Sequence, residues 1–128
     1  MDYKYVGILK PEIAKQYNIL EHKNKPILVY DDVIQHVISR HSKDFDGKDA
    51  VLKIYHSLSN IINKPDYVFY DASKRGLEYY KNISQNICVV IRVNSGKVLK
   101  VKSWYPVKQS KINNRIKKSY LNEMHPLE

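Results

Sequence analysis

The segment 35–41 reads QHVISRH and gathers side chains suited to proton transfer and to phosphate binding. At ~100° per residue, His36 and Arg40 are four apart and therefore neighbours on one helix face. His41 follows five after His36, roughly 140° around the axis and at the end of the helix. An imidazole exchanges a proton near neutral pH, and a guanidinium grips a phosphate through paired hydrogen bonds. The same spacing also fits an ordinary helix end, with His41 finishing an apolar stripe and favouring the C-terminus while His36 and Arg40 are solvated. Spacing alone leaves both readings open.

Two further constellations could bind anions. In the segment 97–105 (KVLKVKSWY), strict alternation puts Lys100, Lys102 and Trp104 on one side, and Leu99, Val101, Ser103 and Tyr105 on the other. Two lysines in line with a tryptophan would make a platform for phosphate and base. Lysines on an outer strand face also defend against edge pairing. Near the C-terminus, Lys108, Lys111, Arg115 and Lys118 recur at intervals of three or four, forming one basic stripe opposite Ile112 and Ile116. Such a stripe fits a phosphate clamp but is non-specific on its own, and a solvated face is the better reading of it.

Other chemistries find no signature. His36 and His41 are not at an i, i+4 spacing, and no HExxH, CxxC or EF-hand pattern occurs. No GxxxxGK[ST] or GxGxxG loop is present, so no cofactor is expected. The single cysteine, Cys88, forms no intrachain disulfide and lies in the most apolar segment, which assigns it to the core.

The elements that must position these residues follow from pattern and punctuation. Residues 5–9 and 26–30 read as strands, with Pro11 opening a helix to Tyr17. Asp31 and Asp32 offer an N-cap and a first-turn acid for a helix to His41. Val51, Leu52, Ile54, Tyr55, Leu58, Ile61 and Ile62 predict a long helix that stops before Pro65. Strands follow over 67–70, 77–83, 87–93 and 97–105, with turns at Lys74-Arg75-Gly76 and at Asn94 to Lys97. A basic helix over about 110–120 closes the chain. The reading is a single α+β domain over 1–128, its N-terminal helices packed on a C-terminal antiparallel sheet.

Charge sharpens this. The 128 residues carry 22 Lys/Arg against 13 Asp/Glu, for a net +9. Residues 1–73 balance at 10 against 10, whereas residues 74–128 hold 12 against 3. The surplus therefore lies entirely in the sheet and tail. Net positive charge with 11 tyrosines suits nucleic acid, and charge alone would equally suit an anionic membrane surface or an acidic protein. No apolar run approaches the ~18 residues of a membrane span, and the first residues lack a signal-peptide pattern. A cytoplasmic protein without membrane contact is expected.

The order of the motifs carries one resemblance. QHVISRH is followed by a helix ending NKPDYVFYD, then EYYKNI, then two strands ending VKSWYP. Over roughly residues 27–117 this resembles the phage-associated branch of the barnase–EndoU–colicin–RelE (BECR) nucleases. The resemblance implies a BECR-like fold and a metal-independent endoribonuclease, toxin-like and directed at tRNA or other RNA, or delivered into a target cytoplasm. The family's helix histidines map onto His36 and His41, its basic helix residue onto Arg40, its YYK lysine onto Lys81 and its strand hydroxyl onto Ser103. Lys100, Lys102, Trp104, Lys108, Lys111, Arg115 and Lys118 would then bind RNA. An acidic antitoxin or immunity protein would be a natural partner. Glu78 is the only acid in the sheet region, so no carboxylate base of the barnase kind stands out. A non-catalytic nucleic-acid or protein-binding module of the same fold, or an accessory protein docking an acidic partner, stays open.

Overall fold

The computed structural model describes residues 2–117 and 122–123. The elements are β1 (Tyr3–Ile8), α1 (Pro11–Gln16), β2 (Pro26–Tyr30), α2 (Asp31–His41), α3 (Lys48–Tyr55) and α4 (Leu58–Asn63). They continue with β3 (Tyr67–Asp71), β4 (Gly76–Ile83), β5 (Gln85–Arg92), β6 (Leu99–Pro106), α5 (Gln109–Lys117) and the two-residue β7 (Asn122–Glu123). The architecture is α+β. One sheet runs β1-β2-β6-β5-β4-β3, with β7 added at the β3 edge. All its neighbours are antiparallel except β2 and β6, which pair in parallel over Ile27–Leu28 and Leu99–Lys100. The sheet is therefore mixed, and the N-terminal hairpin is part of it.

Local chemistry explains the helix boundaries. Pro11 starts α1, where its fixed φ fits and its missing N–H is not needed. Tyr30, not Asp31, occupies the N-cap of α2; Asp31 and Asp32 sit in the first turn, and Arg40 and His41 in the last, each matching the helix dipole. The single long helix expected over 51–62 is interrupted. Ser57 donates its hydroxyl to the Lys53 carbonyl at 3.1 Å, and its N–H turns to Ile54. Such back-bonding competes with the ladder and bends the helix, dividing it into α3 and α4. The described part of α5 ends at Lys117, so Lys118 and the expected stretch to Tyr120 lie outside the described residues.

Alternation gives the sheet two different faces. Ile27, Val29, Leu77, Tyr79, Ile87, Val89, Ile91, Leu99 and Val101 face the helices, and Val37, Val51, Leu58 and Ile61 pack onto them in the main core. The opposite face carries a smaller cluster, in which Ile112 of α5 covers Tyr80 and Cys88. Cys88 is buried, as its apolar surroundings predict.

One irregularity corrects the expected orientations along β6. Val90 pairs with Ser103 but Ile91 pairs with Val101, so Lys102 is an extra residue, a β-bulge. A bulge re-aims every side chain beyond it. Trp104, expected beside Lys100 and Lys102, is instead fully buried in the main core, its Nε1–H donating to the Val51 carbonyl at 3.3 Å. Ser103, expected beside Leu99 and Val101, is turned to the opposite face together with Tyr105.

Candidate active site

The opposite face of the sheet is ordered in cross-strand rows. Tyr67, Tyr80, Cys88 and Tyr105 form one row across β3, β4, β5 and β6; Phe69, Glu78, Val90 and Ser103 form the next. The first row is apolar and aromatic and lies beneath α5. The second meets the C-terminal half of α2. Because β2 pairs with β6 only as far as Lys100, α2 follows directly on β2 and packs along the rest of β6. This brings the α2 side chains over Ser103 and Tyr105.

A cleft of about 230 Å³ opens there. From α2 it is lined by His36, Arg40 and His41, and from β6 by Lys102, Ser103 and Tyr105. Glu78, Val90 and Arg92 form its floor, and Asp71, Lys74, Arg75 and Gly76 its far rim. Five cationic side chains (Arg40, Lys74, Arg75, Arg92, Lys102) thus face two carboxylates and two imidazoles. The balance favours an anion.

His41 is held by two neighbours. Its Nδ1 is 2.9 Å from the Asp44 Oδ2, and its ring stacks on Tyr105 with centroids 5.0 Å apart and planes 30° from parallel. A carboxylate on one ring nitrogen fixes the tautomer and leaves the other nitrogen for chemistry. His36 and Arg40 are exposed on the helix flank. Ser103 is buried, and its hydroxyl has no hydrogen-bond partner among the described residues. An unpaired buried hydroxyl is costly unless something that enters the cleft satisfies it.

Glu78 is engaged by its neighbours. It accepts a hydrogen bond from the Tyr80 hydroxyl and lies 3.9 Å from Arg115 Nη2. Burial, and then the adjacent Cys88, pushes the Tyr105 phenol up, so it stays protonated beside His41. Burial and the nearby Glu78 push the Cys88 thiol up to about 12, which removes it from nucleophilic chemistry. Asp71 is held below the usual carboxylate range, chiefly by the Ser73 hydroxyl at 2.6 Å, and that bond builds the turn before β4. Arg75 occupies the left-handed region of that turn at φ 51°, a strained position of the kind found at working sites.

The structure gathers His36, Arg40, His41, Lys102 and Ser103 into one cleft and places the other described candidates elsewhere. Lys81 lies opposite Ile87 on the helix-covered side and donates to the Lys64 carbonyl at 2.6 Å, with Asp66 at 3.9 Å. Lys108 and Lys111 line an adjoining open pocket of about 470 Å³ that shares Tyr105 with the cleft. The Lys111 ammonium is 5.7 Å from the Tyr105 ring centre, and Arg115 lies over Phe69 at 4.7 Å. Part of the α5 stripe is therefore turned onto the sheet. Lys100 is exposed beside the cleft, over Tyr30.

Asp44, Asp71, Lys74, Arg75, Arg92 and Tyr105 join this neighbourhood without having stood out in the sequence. The excess of cations in residues 74–128 was the signal for three of them, whereas nothing local marks Asp44 or Tyr105. Among the described residues, no group of three or more His, Cys, Asp or Glu side chains is placed to hold a metal ion. No helix among them is long and apolar enough to cross a membrane.

Comparison with curated proteins and with solved structures returns no match. A family model described as phage-Barnase-EndoU-ColicinE5/D-RelE like nuclease 3 matches residues 3–114, from the first strand into α5. With its histidines, arginine and buried serine gathered over a basic sheet face, and with that match over most of its length, the chain belongs to this family of phage-associated BECR-like nucleases.

Proposed function

We propose that the chain is an endoribonuclease that cuts RNA without a metal ion, by attack of a 2′-hydroxyl on the adjacent phosphate. The observation that carries this reading is the meeting of His36, Arg40, His41 and Ser103 in one cation-rich cleft. In the reaction, His41 takes the 2′-hydroxyl proton through Nε2, while Asp44 accepts from Nδ1 and Tyr105 backs the ring. The 2′-oxygen bonds to phosphorus as the bond to the 5′-oxygen breaks, and His36 protonates that leaving oxygen. Each proton transfer of this kind contributes about 10²–10⁴-fold. Arg40, Arg92 and Lys102 stabilise the charge growing on the phosphate, and the Ser103 hydroxyl donates to one of its oxygens.

Asp44 acts as a positioning residue, since it reaches the substrate only through His41, and Tyr105, which also lines the cleft, holds the same ring by stacking. A toxin-like role, with tRNA among its targets and an acidic antitoxin or immunity protein as partner, agrees with the excess of positive charge.

The test incubates purified protein with total RNA in EDTA. Cleavage by the wild-type chain, lost in His41→Ala, is the expected result. Intact RNA with both proteins would contradict the reading. Salt-dependent RNA binding without scission would instead select a non-catalytic binding module, the alternative favoured by a Glu78 already tied to Tyr80 and Arg115.

A further inference from the structure

The basic face of the sheet continues past the cleft. Cross-strand pairing links Arg92 to Lys100, Lys100 to Leu28 and Leu28 to Tyr5. Directly opposed residues share a face, and strands lie ~4.8 Å apart, so this row runs ~14 Å from the cleft wall to the outermost strand. Tyr3 joins Tyr5 on the same side of β1 and lies opposite Tyr30, their ring centroids 5.7 Å apart. The Lys100 ammonium stands 5.1 Å from the centre of the Tyr30 ring.

Tyr30 is half-buried, whereas the Tyr3 and Tyr5 rings are open to solvent. Tyr3 and Tyr5 keep 61% and 57% of their surface exposed, the largest values among the exposed large hydrophobic side chains described. Among the described residues, neither Lys100 nor Arg92 has a carboxylate partner. Lysine is depleted at the centres of protein–protein interfaces. Unmatched cations beside open aromatic faces are what a surface for single-stranded nucleic acid needs, because every base can stack on a ring while its phosphate meets a charge.

We propose that Tyr3, Tyr5 and Tyr30, with Lys100, form a stacking platform for the single-stranded RNA that runs out of the cleft past Arg92. The platform rests on the RNA-cleaving reading above and extends it to the substrate class: an unpaired strand long enough to leave the cleft, rather than a short or duplex one. The bases lie on the tyrosine rings and the backbone follows the row from Arg92 to Lys100.

The experiment compares kcat/KM on a long single-stranded oligoribonucleotide with that on a dinucleotide. It uses the wild-type chain, Tyr3→Ala/Tyr5→Ala and Tyr3→Phe/Tyr5→Phe, with circular dichroism to check folding. The alanine pair should lose at least about fivefold more on the oligonucleotide than on the dinucleotide, since each lost stack weakens single-strand binding by that order. The phenylalanine pair, which keeps the rings, should retain the wild-type ratio. Equal effects on both substrates would overturn the platform, as would an unchanged ratio accompanied by loss of self-association, which would assign the patch to a second copy of the chain. Failure of the wild-type chain to cut either substrate would defeat the cleavage reading instead. Binding of the same oligonucleotide, followed by fluorescence anisotropy, then judges the platform alone: weakening by the alanine pair supports it, and an unchanged Kd overturns it.

Discussion

The helix-covered face of the sheet and the opposite face are built from alternate residues of the same strands, yet their chemistry hardly overlaps. On the first, Leu77, Val89, Ile91, Leu99 and Val101 meet apolar helix residues, and almost every side chain is closed to water. On the second, Glu78, Ser103, Tyr105 and Arg92 line an open cleft beside a smaller apolar cluster under α5. Among the described residues, each face holds one buried hydroxyl without a partner, Tyr79 on the first and Ser103 on the second. Tyr79 is enclosed by core, with its phenol pushed up by burial, whereas Ser103 borders a cleft that a ligand can enter. Position decides what an unsatisfied group can do: in the core it is only a cost, and at the cleft it is capacity for binding.

The bulge at Lys102 joins these two faces. It sends Lys102 and Ser103 to the cleft and returns Trp104 to the core within three residues. Substitutions on either side of it should therefore separate stability from activity. Trp104→Ala empties a large, fully buried site and should cost about 3–5 kcal/mol of stability, read by denaturant unfolding; a smaller loss would show that the tryptophan is not a main support. Ser103→Ala should do the reverse. Removing a hydroxyl that has no partner should leave Tm unchanged or slightly raised, while the lost bond to a charged phosphate, worth about 1.5–3 kcal/mol, slows cleavage roughly ten- to hundredfold. Equal loss of stability and activity in that variant would erase the distinction between the faces.

Two smaller effects follow from close packing on each face. Gly7, at φ 152° beside an irregularity in β1, approaches Ile62 so closely that an added Cβ would lie 3.0 Å from its Cγ2. Gly7→Ala should destabilise by about 1–3 kcal/mol through that overpacked contact, with no specific effect on cleavage once folding is allowed for. Cys88, on the second face but under α5, should resist a thiol reagent at pH 8, well below its raised pKa of about 12, until the chain unfolds. Prompt labelling of the folded protein would show that the row beneath α5 is open.

Much of this was legible in the sequence where the signal is local. The helix ending in His41, the meander from Tyr67 onward and the turn at Asn94 to Lys97 all follow from periodicity and punctuation over a few residues. The resemblance rested on the same short motifs, and the family match agrees with it. The parallel pairing of β2 with β6 was not legible, because it joins residues some seventy positions apart and leaves no local trace. Nor was the bulge. One inserted residue reverses every orientation beyond it, so Trp104 and Ser103 were exchanged between faces although β6 itself was placed correctly. Asp44 stayed hidden for a similar reason: it lies in a polar loop, and only the folded turn brings its carboxylate to His41.

In the proposed reaction the substrate's own 2′-hydroxyl is the nucleophile. That role is tested most directly by offering the purified chain, in EDTA, an RNA oligonucleotide and a DNA oligonucleotide of the same base sequence. The RNA should be cut to products ending in a 2′,3′-cyclic phosphate and a 5′-hydroxyl, the DNA should stay intact, and His41→Ala should lower the RNA rate by about 10²–10⁴-fold. Cleavage of the DNA, RNA products lacking a cyclic phosphate, or an undiminished rate in His41→Ala would contradict this mechanism.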